Sequence, residues 1–439
     1  MSARMLNNIR LGGFPLAYGM SGALIGGTLN RIMIADLGMP ASLVAIFFTV
    51  PMLVSPLRVW FGYRSDGYPL MGRRREPYIV LGALLIGLGI VAVSSLITQL
   101  SGPAALAAPV LLAFAVYGIG RNLGHNTFQA LVSDRFSGRE RTRAATLYEV
   151  ATLLGMVMGS GIIGKVLETY DPAQLVVVAW WVALVLLVLA LSAAIGQERY
   201  AIVAGGAAER ARAIPFSTVL REIVVTDPQV RRFFLLVMFT FVGTLAQDVI
   251  LEPYGALVLH MNVGETTRLT SFWGLGVLIS MLLSGAVLLR RFGHLTILRA
   301  GIIASILVFL GLIIAGLMGK PGLMKGMVFL MGLGTGLAGA GMLSAAISFT
   351  TRVRAGMLMG VWGVANLVGH AAGSLMGGTV VDLVRVTTGN NLAAYGTVFA
   401  LEILMLIVAL FLSMRVSIQT SFAGKEERDE AHEVSWMTD

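Results

Sequence analysis

Several ionisable residues stand inside apolar runs, where each needs a partner or a task. Arg121 and His125 are four residues apart, with Asn122 and Asn126 beside them. A spacing of four puts the first two on one face of a helix. Glu149 lies a few residues into the next apolar run and is expected to neutralise Arg121 as a buried pair that locks helices. Asp248 and Glu252 form a second pair on one face, followed at once by Pro253 and Tyr254. Asn366 and His370 form a third, and Glu402 lies near the middle of the last apolar run. At mid-bilayer a charged side chain costs on the order of 2.5–3.5 kcal/mol on insertion scales. Carboxylates placed there carry protons or order a helix, and a neutral imidazole either bonds a neighbouring helix or ligates a metal ion. Proline removes a backbone donor, so the carboxylates beside Pro253 have a structural use as well. The sequence has no HExxH, no cysteine, no phosphate-binding glycine loop and no adjacent nucleophile–base pair. Neither an enzyme nor an ATP-driven pump is expected, and no nucleotide and no protein-held metal.

The elements that position these residues must be membrane helices. Of 439 residues 56% are hydrophobic and only 13% charged, about half the charge that a soluble surface of this size carries. The mean hydropathy of +0.83 says the same. Runs of about 20 apolar residues predict spans over 12–35, 41–62, 77–98, 105–131, 145–167 and 173–195, then 232–257, 269–289, 296–318, 324–349, 356–381 and 392–414. The first run ends in Asn30-Arg31 without a small-residue cleavage site and reads as a retained span. The net charge of +9 does not point to nucleic acid, because most of the 32 basic residues fall in alternate short loops. That asymmetry predicts an even number of spans with both termini in the cytoplasm.

The expected class is an all-α polytopic membrane protein with twelve transmembrane helices in two six-helix halves. The expected divisions are a first bundle over 1–195, a cytoplasmic linker over 196–231, a second bundle over 232–415 and an acidic cytoplasmic tail over 416–439. Gly118 and Gly120 recur as Gly332 and Gly334; at the same offset, without a gap, Gly155, Gly159 and Ser160 recur as Gly369, Gly373 and Ser374. Such a duplication of six spans is what major facilitator transporters show. These glycines suit close helix packing, or a smooth surface for a flat ring or a partner helix. The loop after the second span, with Gly62, Asp66, Gly72 and the basic run Arg73, Arg74 and Arg75, resembles the gating signature of that superfamily. Asp66 is expected to act as a latch; the matching loop over 285–293 lacks the aspartate.

One run is more specific. Gln247-Asp248-Val249-Ile250-Leu251-Glu252-Pro253-Tyr254-Gly255-Ala256, with Gly264-Glu265-Thr266-Thr267 and Trp273-Gly274 after it, resembles the PucC family. So do Leu29-Asn30-Arg31-Ile32-Met33 and Tyr63-Arg64-Ser65-Asp66, and the resemblance covers essentially the whole chain. This is the PucC/LhaA-type bacteriochlorophyll-delivery branch of the major facilitator superfamily. The resemblance implies a multi-pass protein of the bacterial cytoplasmic, or intracytoplasmic photosynthetic, membrane that aids assembly of light-harvesting complexes. It implies bacteriochlorophyll or its precursors as bound cargo. Antenna polypeptides and enzymes of bacteriochlorophyll synthesis are the implied partners, within a lipid bilayer.

The residues suited to such a cargo are His125, His370, Asp248, Glu252, Tyr254, Arg121, Asn122 and Asn366, with either histidine as the ligand of a chlorin magnesium. These histidines are the only two well inside spans, on helices that the duplication is expected to relate. Asp66, Arg73, Arg74, Glu149 and Pro253 are expected to gate or brace the fold. A proton-coupled transporter of a small amphipathic molecule, using Glu149, Asp248, Glu252 or Glu402, is the alternative. A transporter fold retained purely as a protein-binding scaffold is the third reading.

Overall fold

The computed structural model describes residues 8–57, 60–61, 65, 68–99, 103–136, 138–200, 228–348 and 355–416; within these, 103–106, 138–139, 141–142, 200, 228–230, 346–348 and 355–364 are described by backbone alone. Asp66, most of the linker and nearly all of the acidic tail lie outside the described residues.

Among the described residues ten helices are each long and apolar enough to cross a membrane; the first span, interrupted by π segments, and a shorter second helix bring the number to twelve. The first span runs as Gly13–Ala23 and continues through two π-helical segments, Leu24–Leu29 and Ile32–Asp36. The second is Ala41–Leu53, with Pro51 inside it. Spans three to six are Glu76–Gln99, Pro103–Arg135, Gly138–Val166 and Pro172–Ala194. The seventh is broken into Pro228–Leu245 and Gln247–Leu257. The eighth, Val263–Leu283, continues through a π segment, Ser284–Leu288, to Phe292. His294–Met318, Pro321–Ser348, Ala355–Thr388 and Asn391–Arg415 follow.

The eighth span starts six residues before the predicted 269. Asn262 accepts from the Glu265 N–H at 2.8 Å, and Glu265 reaches back to the Asn262 N–H at 3.3 Å. This capping box satisfies donors that the first helical turn leaves free, so polar residues extend the helix beyond its apolar run.

The duplication is visible in the packing. Gly118 lies against Pro51 of the second span, and Gly332 against Trp273 of the eighth. Gly120 sits against Leu85 and Ile86 of the third span, and Gly334 against Gly301 and Ser305 of the ninth. Gly155 and Gly159 seat the fifth span on Leu16 and Met20 of the first; Gly369 and Gly373 seat the eleventh on Phe241 and Val242 of the seventh. All four are therefore packing glycines, since a side chain there would enter the neighbouring helix. The same correspondence relates the fourth span to the tenth and the fifth to the eleventh. His125, on the fourth, thus matches Gly339 and not His370, contrary to expectation.

The halves meet through the fifth span on the eighth and the second on the eleventh. The main packing of the fourth span is on the first half, against the second, third and fifth spans and the short helix Glu198–Tyr200, and it meets the first span through Phe14 and Tyr18. It has no comparable packing on a second-half span, which leaves a face of it, with the exposed Arg121, open as one wall of a cleft between the halves.

Candidate functional site

In the first half, one face of the fourth span gathers a cationic and aromatic group. Arg121 stands about midway along that span, exposed to the cleft. Its Nε donates to the Tyr18 hydroxyl at 2.6 Å, and its guanidinium lies 5.5 Å from the centre of the Tyr18 ring. One turn on, His125 stacks on Tyr18 at 5.4 Å and shares a hydrogen bond with the Tyr148 hydroxyl through Nδ1. The Tyr148 ring meets the imidazole edge-on at 5.2 Å.

The expected Arg121–Glu149 pair does not form. Adjacent helical residues are about 100° apart, so burying Tyr148 beside His125 leaves Glu149 exposed on another face. The same rotation removes Asn122 from the site. It is 1% exposed, and its amide donates to the Gly118 carbonyl at 2.8 Å and the Pro51 carbonyl at 3.1 Å, clamping the fourth span to the second.

The second half presents carboxylates. Asp248 Oδ2 is 2.7 Å from His370 Nε2, joining the seventh span to the eleventh, and both side chains remain partly open. A neutral imidazole that donates Nε2–H to this carboxylate keeps its lone pair on Nδ1. Asn30, buried between the two π segments of the first span, donates to the Asp248 carbonyl at 3.1 Å and to Glu252 Oε2 at 3.4 Å. Thr270 donates to the other Glu252 oxygen at 3.3 Å, and Glu252 is nearly buried. π turns re-aim the side chains beyond them; here they bring a first-half amide into the carboxylate cluster. Asn366 is half-buried one turn before His370.

Tyr254 does not belong to this cluster. Two residues beyond Glu252, it is rotated by about 200°. It is fully buried, donates to the Leu312 carbonyl at 2.7 Å and packs on Tyr395 and Phe399. Its role is to bind the seventh, ninth and twelfth spans together. Pro253 lies beside it inside the helix. Glu402, also fully buried, has no partner within hydrogen-bond geometry for either carboxyl oxygen among the described residues, although the Gln247 backbone lies beside it.

Two latches flank the cleft. On the side that carries the described termini, Glu198 accepts from the backbone N–H groups of Arg74 at 2.9 Å, Arg75, and Glu76 at 2.8 Å. A carboxylate there meets the free donors and positive end of the third span. Arg73 pairs with Glu76, while Arg75 reaches Asp134 at 3.1 Å and Ser65 at 2.7 Å. The segment expected to begin the linker is thus docked on the first half. On the opposite side, Asp382 of the eleventh span caps the second. It accepts from the N–H groups of Ala41 at 2.9 Å and Ser42 at 2.8 Å, and from the Ser42 hydroxyl at 2.5 Å. Thr28 meets Thr267 at 3.1 Å, and Ser160 meets Ser271 at 2.5 Å. These bonds fasten the halves at mid-span and beyond.

Sequence reasoning did not single out Tyr18, Tyr148, Thr270, Glu198, Asp134 or Asp382. Asn30 had a signal, an amide followed by arginine within an apolar run. Among the described residues no group of three His, Cys, Asp or Glu side chains is placed to hold a metal ion.

Solved transporters share this architecture. The chain aligns with a bacterial homolog of the human lysosomal transporter Spinster at a TM-score of 0.70, covering 95% of this chain and 98% of that one with 15% identity. It aligns with a bacterial homologue of the iron transporter ferroportin at 0.71, covering 95% and 99% with 14% identity. The fold is therefore the major-facilitator fold, with two six-helix halves. Among sequences, a Rhodobacter capsulatus protein named "Uncharacterized protein in puhA-bchM intergenic region" is 32% identical, covering 96% of this chain and 92% of its own. Protein PucC of the same organism is 32% identical over 92% of this chain and 90% of its own. The "Bacteriochlorophyll synthase 44.5 kDa chain" of Rhodobacter capsulatus is 29% identical over 95% and 96%. A family profile described as "PUCC protein" matches residues 28–421, and on that extent this multi-pass membrane chain belongs to the PucC family.

Proposed function

We propose that the protein is a non-enzymatic assembly factor for light-harvesting complexes. It holds bacteriochlorophyll or a late precursor at the cleft between its halves and passes it to antenna polypeptides. Family membership and a relative named for bacteriochlorophyll synthesis supply the cargo class. The observation that carries the reading is the Asp248–His370 pair at the cleft. A carboxylate on one imidazole nitrogen fixes the tautomer and raises the basicity of the other, the arrangement that supports histidine as a metal ligand. His370 Nδ1 is thus the group that meets the chlorin magnesium. His125 has Nδ1 bonded to a tyrosine hydroxyl and not to a carboxylate, so its other nitrogen gains less basicity.

The asymmetry of the basic loops favours both termini in the cytoplasm; loading from that side, where pigment synthesis and nascent antenna polypeptides are found in the photosynthetic membrane, fits this reading. The alternative, a proton-coupled transporter of a small amphipathic molecule, draws on the same mid-span carboxylates, Asp248 and Glu252.

The test is an absorption spectrum of gently purified protein from a pigment-producing host. Wild type is expected to carry bacteriochlorophyll, and His370→Ala to lose it while remaining folded. A colourless wild type that copurifies with antenna subunits supports the scaffold reading instead. A colourless protein that drives pH-dependent flux in vesicles supports the transporter.

A further inference from the structure

Arg121 has no carboxylate to answer its charge. Among the described residues, no acidic side chain lies within ion-pair distance of it. Its electrostatic neighbours are the hydroxyls of Tyr18, Tyr117 and Tyr148. An unanswered guanidinium at mid-span is costly, and such residues mark ligand pathways when they face a cavity. Arg121 does so: the fourth span has its main packing on the first half, and the side chain is exposed.

Its orientation is also fixed. The Tyr18 hydroxyl takes Nε, and the Tyr18 ring lies along the guanidinium at 5.5 Å. With Nε held in this way and the Tyr117 hydroxyl beside the guanidinium, the terminal nitrogens are the end that meets an oxyanion. The tyrosine side chains supply apolar ring surface around a single charge. That combination suits an anionic group on a largely apolar molecule better than a free inorganic anion.

We infer that Arg121, set by Tyr18, is an oxyanion-binding subsite for an amphipathic molecule, a carboxylate or a phosphate ester attached to an apolar body. For the choice of cargo this rests on the pigment-handling reading; a chlorin that retains a free propionate has the required group, and so has an anionic lipid. The subsite would distinguish an acid from its ester, a distinction that a magnesium ligand cannot make.

The experiment uses full-length protein in phosphatidylcholine nanodiscs, with pheophorbide a and its methyl ester as probes. Both lack magnesium, so the histidine contact does not contribute. Wild type is expected to bind the acid about tenfold more tightly than the ester, as for one charge-assisted pair. Arg121→Gln should bind acid and ester alike. Tyr18→Phe, which releases Nε, should reduce the preference about threefold. If Arg121→Gln does not accumulate, Arg121→Lys, which keeps the charge but not the planar fork, should also lower it about threefold. Equal binding of acid and ester by wild type overturns the subsite and leaves the pigment reading standing; a preference that persists undiminished in the Arg121 variant overturns it as well. If wild type binds neither chlorin, the pigment reading loses its support, and fluorescent phosphatidic acid becomes the probe. Binding that requires Arg121 then assigns the subsite to a lipid headgroup, and binding independent of Arg121, or none, overturns it.

Discussion

At one offset the two halves place glycines against equivalent neighbours, yet the polar residues of the cleft have no such correspondence. Gly118 and Gly120 match Gly332 and Gly334 in residue type and in the spans they touch, but Arg121 matches Thr335 and His125 matches Gly339. His370 likewise matches Met156. The first half therefore shows the cleft a cation among tyrosine rings, and the second shows it carboxylates beside a histidine. Packing glycines are constrained by backbone contact, where one added carbon forces a helix away. Polar residues facing a cleft are constrained by what enters it. A duplicated scaffold thus keeps its packing common to both halves while the polar side chains of the two halves differ in kind and in charge.

The scaffold side of this contrast has the largest expected effect. Gly155→Leu drives a side chain into the Leu16 backbone, and Gly369→Leu into Phe241 and Met238. Each should cost about 3 kcal/mol or more, read as loss of monodisperse protein and a lower apparent melting temperature. Damage from one and tolerance of the other would break the structural equivalence of the halves.

The chemical side is sharpened by removing each histidine's partner. Asp248→Ala strips the carboxylate from His370 and should weaken retention of bacteriochlorophyll about tenfold, at the lower end of what loss of such a partner does to metal affinity. Tyr148→Phe strips the hydroxyl from His125 and should leave pigment retention unchanged. Equal losses would mean that both histidines act on the cargo and that the halves are less specialised than their residues imply.

A smaller effect is expected at the joint between the halves. Asp382→Asn keeps the side-chain shape but removes the charge that meets two N–H groups of the second span. Loss of a good cap costs about 1 kcal/mol, enough to shift a two-state equilibrium roughly fivefold. The chain has no cysteine, so Leu37→Cys and Thr388→Cys can carry spin labels on the side that Asp382 fastens. The population at longer separation should grow in Asp382→Asn. An unchanged distance distribution would show that helix packing alone closes this side.

The spans were legible because twenty apolar residues in a row have few other uses, and the duplication because its glycines are fixed by contact. What the sequence concealed was rotation about each helix axis. Glu149 and Tyr148 are neighbours in sequence, and only the packing of the fifth span decides which of them meets the fourth. Tyr254 stood in the most distinctive run of the chain and still points away from its cleft. Asp248 and His370 were both singled out as candidates, but their contact joins positions 122 residues apart and has no local pattern. Glu198, likewise 122 residues from the Glu76 N–H that it accepts, lay in a segment whose composition suggests only a linker. The π segments of the first span, which deliver Asn30 to the carboxylates, left no periodic signal because they are too short to set one.

Glu402 sets the finest test of how unlike the halves are. Aligned by the caps that open the sixth and twelfth spans, Asp171 and Asn390, its counterpart is Ala183, half-buried against Gly87 of the third span. Glu402 is instead sealed inside the second half with no partner in hydrogen-bond geometry for either oxygen among the described residues, and Gln247, buried on the seventh span, also has an amide oxygen without a partner there. A buried polar atom left unsatisfied costs about 1–3 kcal/mol. Glu402→Gln keeps the size and adds two donors, so the apparent melting temperature should hold or rise, by the equivalent of about 1 kcal/mol at most. Pigment retention should not change, because the residue does not reach the cleft. A marked loss of stability would mean that the carboxyl is satisfied by buried water and belongs to the structure. Loss of a pH-driven flux at unchanged stability would make Glu402 a proton carrier, and the asymmetry of the halves would then serve transport rather than delivery.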